Sequence, residues 1–213
     1  LIDYDPSLVK IEADRTDNNT NISEYAYENN KGDKKNYIPE SISEETPIIL
    51  ENNNYQITIS PTEKETKKVK VEDENVLNIY DEEVKLPVKA IYEAKDEKSS
   101  LEYISKENGI KENIILNKVP DSNVFEYEIK LEGSKPKKCE LEESIVFIDD
   151  KTNEVIGSID VPFMNDASNK AYSEEITYDI NPKSGEKDTY ILTMTVDEGY
   201  LKSNERQYPV TID

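Results

Sequence analysis

The sequence contains no histidine, no tryptophan and a single cysteine, Cys139, among its 213 residues. Without histidine the chain cannot form a Ser-His-Asp triad, a Cys-His pair or a zinc site that uses histidine. A single cysteine also excludes an internal disulfide. No apolar run approaches the roughly 18 residues that a membrane-spanning helix needs, and no signal peptide is recognisable. These absences remove the commonest nucleophilic chemistry and histidine-based metal chemistry from the chain.

Positive charge is scarce as well, because 26 Lys and Arg residues stand against 47 Asp and Glu residues, for a formal net charge of -21. A field of this sign repels the phosphate backbones of nucleic acids and the surfaces of anionic membranes. It attracts cations such as calcium, but strong acidity more often serves solubility. We therefore expect neither a nucleic-acid partner nor membrane insertion.

The apolar residues that are present favour β-structure. The chain has 24 isoleucines and 13 valines against 11 leucines, together with 14 tyrosines. Branched and aromatic side chains suit a pleated, half-buried surface, and they are poor helix formers. A mean hydropathy of -0.81 is close to that of disordered chains, but the apolar residues are patterned. We expect a folded domain with a thin core.

Short alternating runs follow one another from Ile48 onward, separated by turn residues about every 8 to 14 positions. In the run 123–133, Phe125, Tyr127, Ile129 and Leu131 share one face, which we expect to be buried. Strands are predicted at 55–60, 67–72, 75–80, 87–94, 123–133, 175–180, 189–196 and 208–212, with hairpins that turn at Asn108-Gly109 and through Asp149 to Asn153.

This pattern predicts an all-β fold, an antiparallel two-sheet sandwich-like module. Residues 1–47 are polar and carry Tyr25, Tyr27 and Tyr37 as aromatic anchors. We expect them to form an extended strap packed on the sheet, and residues 48–213 to form the sandwich.

Three features of the sequence suggest chemistry, and each also has a structural interpretation that we favour. The turn with Asp149, Asp150, Asn153 and Glu154 offers oxygen ligands for calcium, but such residues commonly bond their own turn. Cys139 follows lysines that could lower the pKa of its thiol, but it has no partner residue for catalysis. Paired carboxylates abound in so acidic a chain, and nothing in the sequence places two of them as in a glycosidase. We assign no catalytic, cofactor-binding or metal-binding residue.

Three stretches together resemble a segment of large bacterial surface proteins, the Rhs/YD-repeat wall-associated family and the related DNRLRE-domain proteins of Gram-positive bacteria. They are NGIKENIIL (108–116), FIDDKTNEVIGSIDVPFMNDA (147–167) and GYLKSNERQYPVTID (199–213). The stretch AYENNKGDKKNYIPESISEETPIIL also resembles the upstream portion of the family, so the resemblance covers about residues 20 to 213. The chain departs from the family pattern at Tyr200, where the family usually has Trp, and around Cys139.

The resemblance implies a secreted or cell-wall-associated protein with several domains, of which this chain is one β module. On this interpretation the module is a non-catalytic scaffold and not an enzyme, and its partners are neighbouring domains of the same polypeptide. The alternative is a module that binds wall or host polysaccharide. Tyrosines exposed on one sheet face would favour that alternative, and tyrosines buried between sheets would count against it.

Overall fold

The computed structural model describes residues 5–11, 24–29, 34–52, 55–62, 66–77, 82–107 and 109–213. Within these ranges almost all regular structure is β, and one short helix interrupts it near the C-terminus. The strands are β1 (Val9–Lys10), β2 (Tyr25–Asn29), β3 (Lys34–Pro39), β4 (Ile48–Asn52), β5 (Gln56–Pro61), β6 (Lys70–Leu77), β7 (Glu83–Glu93), β8 (Ser99–Lys106), β9 (Gly109–Leu116), β10 (Val124–Leu131), β11 (Ser134–Lys138), β12 (Ile145–Asp149), β13 (Val155–Ile159), β14 (Met164–Asp166), β15 (Ile176–Pro182), β16 (Thr189–Val196) and β17 (Val210–Ile212), and the helix is α1 (Glu198–Lys202).

These strands form three antiparallel sheets. The first sheet has eight strands in the order β1-β2-β3-β4-β5-β10-β16-β15. The second sheet has six strands in the order β14-β17-β9-β8-β7-β6, and the third has three strands in the order β11-β12-β13. Buried side chains from all three sheets form one large apolar cluster. The predicted all-β, sandwich-like architecture is confirmed.

Strand β10 shows how the sequence directs the core. Its odd-numbered residues Phe125, Tyr127, Ile129 and Leu131 are buried, with exposures between 0% and 8%. The register of β10 with β5 and β16 places this row beside the apolar rows of both neighbours. The alternation seen in the sequence is therefore the alternation between core and solvent.

Both predicted hairpins form. Strands β8 and β9 pair throughout, from Ser99 with Leu116 to Lys106 with Gly109, while Asn108 lies outside the described residues. Strands β12 and β13 pair around a turn in which Asn153 has a positive φ of 57°. Asparagine tolerates this left-handed conformation better than most residues.

The N-terminal region, which we expect to form an extended strap packed on the sheet, contributes three strands where the structure describes it. Strands β1, β2 and β3 continue the first sheet beyond β4. The Tyr25 ring packs edge-to-face on the Tyr37 ring, with centroids 6.2 Å apart, and the Tyr25 hydroxyl donates to the Pro47 carbonyl at 2.9 Å. The tyrosines thus anchor this region, and the division of the chain at residue 47 stays a prediction.

The C-terminal segment closes one end of the core. Strand β17 lies inside the second sheet, hydrogen-bonded to β14 on one side and β9 on the other. Helix α1 precedes it, capped by Asp197, whose carboxylate accepts from the Tyr200 amide at 2.6 Å. Tyr200 and Leu201 are buried. In the part of the chain that the structure describes, no helix is long and apolar enough to cross a membrane.

Candidate functional site

A cleft of about 700 Å³ opens between the first and second sheets, with the third sheet along one side. Inward-facing side chains of the two large sheets line this cleft, and they do not fill the space between the sheets. The volume falls in the range of about 300 to 1,000 Å³ that is typical of small-molecule sites. The apolar wall includes Leu50, Ile57, Ile59, Ile129, Leu192 and Met194 from the first sheet, Ile110, Ile114 and Ile212 from the second, and Phe147, Ile156 and Ile159 from the third.

A carboxylate, that of Glu112, also lines this cleft. Glu112 lies directly opposite Tyr103 in the pairing of β9 with β8. The Tyr103 hydroxyl donates to Glu112 Oε1 at 2.8 Å, and the Tyr127 side chain of the first sheet lines the same cleft, where the charge of Glu112 raises the pKa of its hydroxyl. Glu112 therefore lies where the two large sheets face each other.

The tyrosines around this carboxylate stay protonated at ordinary pH. Burial raises the pKa of Tyr103 and of Tyr127 well above the usual value, and the negative charge of Glu112 raises both further. Burial likewise raises the pKa of Tyr178, which lines the same cleft, with a further contribution from Glu112. These phenols therefore act as hydrogen-bond donors and as aromatic walls rather than as acids.

Charged side chains of both signs surround the mouth of the cleft. Lys111 forms an ion pair with Asp213, the residue that follows β17. The remaining charged residues at the mouth are Lys34, Lys106, Glu51 and Asp160. Since exposed ion pairs are worth little, the mouth is a polar rim around an apolar interior.

A second polar cluster joins β14 to the segment before β17. The Asp166 carboxylate, whose side chain is 2% exposed, lies 3.5 Å from the Arg206 guanidinium. It also accepts from the Ser168 hydroxyl and from the Gln207 backbone amide. The Arg206 guanidinium lies over the Tyr200 ring at 3.5 Å from its centroid. Both carboxylate oxygens of Asp166 accept hydrogen bonds from within the chain. The cluster therefore stabilises the packing of the C-terminal segment, residues 197–213, against β14.

The Asp166 cluster predicts how stability falls in acid. The hydrogen bond from the Ser168 hydroxyl, and then backbone hydrogen bonds and the Arg206 charge, hold the pKa of Asp166 below its usual range. A carboxyl whose pKa is lowered by folding stabilises the protein above its unfolded value of about 3.9, and this contribution is lost as the pH falls through the lowered pKa. We expect Asp166→Asn to make the loss of stability between about pH 4 and pH 2 less steep, as measured by urea unfolding.

Ser168→Ala serves as the matched variant for this measurement. It keeps the carboxylate and removes only its first hydrogen-bond donor, so its acid slope should lie between those of the wild type and Asp166→Asn. Parallel curves for all three proteins would contradict this role of Asp166.

The other residues that the sequence singled out lie apart from the cleft. Asp149 Oδ1 accepts from the backbone amides of Lys151 and Thr152 at 2.9 and 2.7 Å, so it bonds its own turn. Cys139 is half-buried in the segment after β11. Among the described residues, no group of three or more acidic or cysteine side chains is arranged to hold a metal ion.

Among the residues that the structure describes, the tyrosines do not form an exposed platform for sugar stacking. Seven of them have exposures of 8% or less, namely Tyr25, Tyr37, Tyr92, Tyr103, Tyr127, Tyr178 and Tyr200. Tyr92 packs edge-to-face on Tyr103, and its hydroxyl donates to the Pro39 carbonyl at 2.6 Å between the two large sheets. This arrangement counts against the polysaccharide-binding alternative, because the rings are used inside the core.

Sequence reasoning missed Glu112 as a site residue, although a signal was present. Glu112 shares the inward face of β9 with Ile110, Ile114 and Leu116, of which the last two are buried. A charged residue in the middle of an otherwise apolar face violates the alternation and marks a position where a carboxylate enters the interior.

No family model matches the chain, and no solved structure matches it significantly. Three curated proteins do. It is 28% identical over 110 residues to the tRNA3(Ser)-specific nuclease WapA of Bacillus spizizenii, the tRNA(Glu)-specific nuclease WapA of Bacillus subtilis subsp. natto and the tRNA nuclease WapA of Bacillus subtilis. In each case the match covers 49% of this chain and 4% of the relative. The chain thus spans only a small part of the length of the relatives that it matches.

These relatives overturn several predictions from the sequence. We expected a non-catalytic scaffold or a polysaccharide binder, without enzyme activity and without a nucleic-acid partner. These predictions are wrong, because the matched proteins are named tRNA nucleases. The net charge and the absence of histidine are properties of these 213 residues. The name tRNA nuclease belongs to relatives that are far longer, because the match covers 4% of each. The resemblance to Rhs/YD-repeat proteins and the secreted or wall-associated location stay predictions.

Proposed function

We propose that this chain is a β-sandwich segment of a tRNA-cleaving protein, and that tRNA cleavage is the activity to which it contributes. The observation that carries the proposal is the likeness to three proteins that are each named as a tRNA nuclease. The substrate of the protein is then a nucleic acid, and the reaction is cleavage of a phosphodiester bond.

The names of the relatives also indicate which task this segment does not perform. One relative is named for a serine tRNA and another for a glutamate tRNA, yet this chain is 28% identical over 110 residues to both. A segment that selected the tRNA would be expected to differ between nucleases with different targets. We therefore assign this chain to a part that nucleases of different tRNA specificity have in common.

The proposal extends to the setting of the protein. We propose a Rhs/YD-repeat-like protein that is secreted or attached to the cell wall of a Gram-positive bacterium. The three stretches that carry this resemblance support it, because they meet in the fold: β9, β14 and β17 are neighbours in the second sheet. The Bacillus source of the relatives is consistent with this setting.

A segment exchange tests the proposal. The intact protein that contains this chain should cleave tRNA, and one or a few tRNA species should be cut when total tRNA is incubated with it and sequenced. Replacing this chain with the matched segment of the Bacillus subtilis subsp. natto relative should leave the same tRNA species cut, because the segment does not set the target.

Two outcomes would refute the proposal in different ways. Failure of the intact protein to cut any tRNA, while the purified relative cuts its own target in the same assay, would refute the nuclease assignment. A change of the cleaved species towards the tRNA(Glu) target of the donor would show that the segment selects the tRNA.

A further inference from the structure

We propose that the cleft between the first and second sheets binds an uncharged, apolar small molecule, with the third sheet as part of its wall. This inference concerns the chain itself and does not depend on the nuclease assignment. Molecules that carry a charge of either sign are the alternatives, and the structure disfavours both.

The charged side chains that line this cleft already interact within the chain. Lys111 forms its ion pair with Asp213, and the Glu51 carboxylate accepts from the Gln56 side-chain amide at 3.0 Å. The remaining charged residues of the lining, which also interact within the chain, are Lys34, Lys106, Glu112 and Asp160. A charged ligand would lose its hydration in the cleft without gaining an uncompensated partner, which is unfavourable.

All three sheets present apolar side chains to the cleft, and several of these side chains remain accessible. Ile59 of the first sheet, Ile110 of the second, and Ile156 and Ile159 of the third are half-buried, and each lines the cleft. When an apolar molecule enters, this surface and that of the ligand are removed from water together, which favours binding. The lining therefore selects for apolar character.

A glycine in the wall shapes the third side of the cleft. Gly157 lines the cleft in β13, and a Cβ at this position would lie 3.2 Å from Phe147 Cδ2 and 3.6 Å from Ile57 Cδ1. Glycine thus permits β13 to approach the first sheet closely, and this approach closes one side of the cleft. A concave, largely preformed site with apolar walls is the usual setting for small-molecule binding.

The test uses the 213-residue chain and N-phenyl-1-naphthylamine, an uncharged dye whose fluorescence rises in apolar surroundings. We expect saturable binding of the dye, and its displacement by 4-phenyl-1-butanol at least about tenfold more tightly than by 4-phenylbutylammonium or 4-phenylbutanoate, because each ion must be desolvated. The net charge of -21 attracts the ammonium compound. A preference for the alcohol over this cation therefore cannot arise from the overall field.

Two variants of neighbouring residues locate the bound dye. Ile156→Asn replaces a half-buried apolar side chain of the cleft wall, and it should weaken dye binding by about fivefold or more. Val155 is 62% exposed and lies outside the cleft lining. Val155→Asn makes a similar change on the same strand, and it should alter binding by less than about twofold.

Three results would overturn the proposal: no saturable binding of the dye, displacement by a charged competitor as readily as by the alcohol, or binding to Ile156→Asn that is no weaker than binding to Val155→Asn. The first two comparisons are made on the wild-type protein, so they decide the question even if Ile156→Asn does not fold.

Discussion

Replacing Leu131 with Ala is expected to lower the free energy of unfolding by about 3 kcal/mol or more, the usual cost of truncating a fully buried leucine. Leu131 is 0% exposed and lies at the end of the inward row of β10, an interior strand of the first sheet that pairs with β5 on one side and β16 on the other. Its side chain belongs to the large apolar cluster. Urea unfolding followed by far-ultraviolet circular dichroism measures the change.

The neighbouring residue supplies the control for this prediction. Lys130 is exposed and pairs with Glu132 at 3.0 Å, with side chains 47% and 60% exposed. Lys130→Ala should therefore cost less than about 1 kcal/mol. Equal losses for the two variants would mean that the alternation along β10 does not separate core from solvent.

Replacing Leu201 with Ala is expected to lower the free energy of unfolding by about 2 to 4 kcal/mol, because it leaves a cavity where α1 packs on the core. Leu201 is 1% exposed in α1, and its carbonyl accepts from the Tyr208 hydroxyl at 2.7 Å. A five-residue helix contributes little stability of its own. The burial of Leu201 and Tyr200 is thus the main reason why the segment packs where it does.

The next residue in the same helix provides the comparison. Lys202 is exposed and pairs with Glu198 one turn earlier, so Lys202→Ala should cost only about 0.3 to 0.5 kcal/mol. A loss below about 1 kcal/mol for Leu201→Ala would show that this segment does not seal the core. Both leucine variants are read by the same urea titration, and the curves can be compared directly.

Many of the strands and both hairpins were predictable because their signals are local, although residues 70–77 form the single strand β6 where two strands were predicted. Alternation of period two and the turn pair Asn108-Gly109 need only a few consecutive residues to be recognised. The polar N-terminal region was harder to interpret. Strands β2 and β3 carry polar residues such as Asn29 and Asn36 that become buried. The Asn29 side-chain amide donates to the Asp5 and Ser7 carbonyls at 2.8 and 2.9 Å. A polar residue that is satisfied by a distant carbonyl looks like a loop residue in the sequence.

The wrong functional predictions have a different origin. The absence of histidine and the net charge of -21 are properties of this chain, and the prediction of a non-catalytic module without a nucleic-acid partner rested on them together with the family resemblance. The three relatives are named for tRNA cleavage, an activity that the charge and composition of this chain do not indicate.

By itself the sequence determined the β class, the two hairpins and the inward face of β10, because each depends on the side-chain order within one or two strands. Only the tertiary structure decided that β17 lies between β14 and β9, that Asp166 meets Arg206, and that Glu112 faces Tyr127 across two sheets. The physical reason is distance along the chain. Asp166 and Arg206 are 40 positions apart, and no local sequence pattern links them. Their pairing follows from how the three sheets share one core.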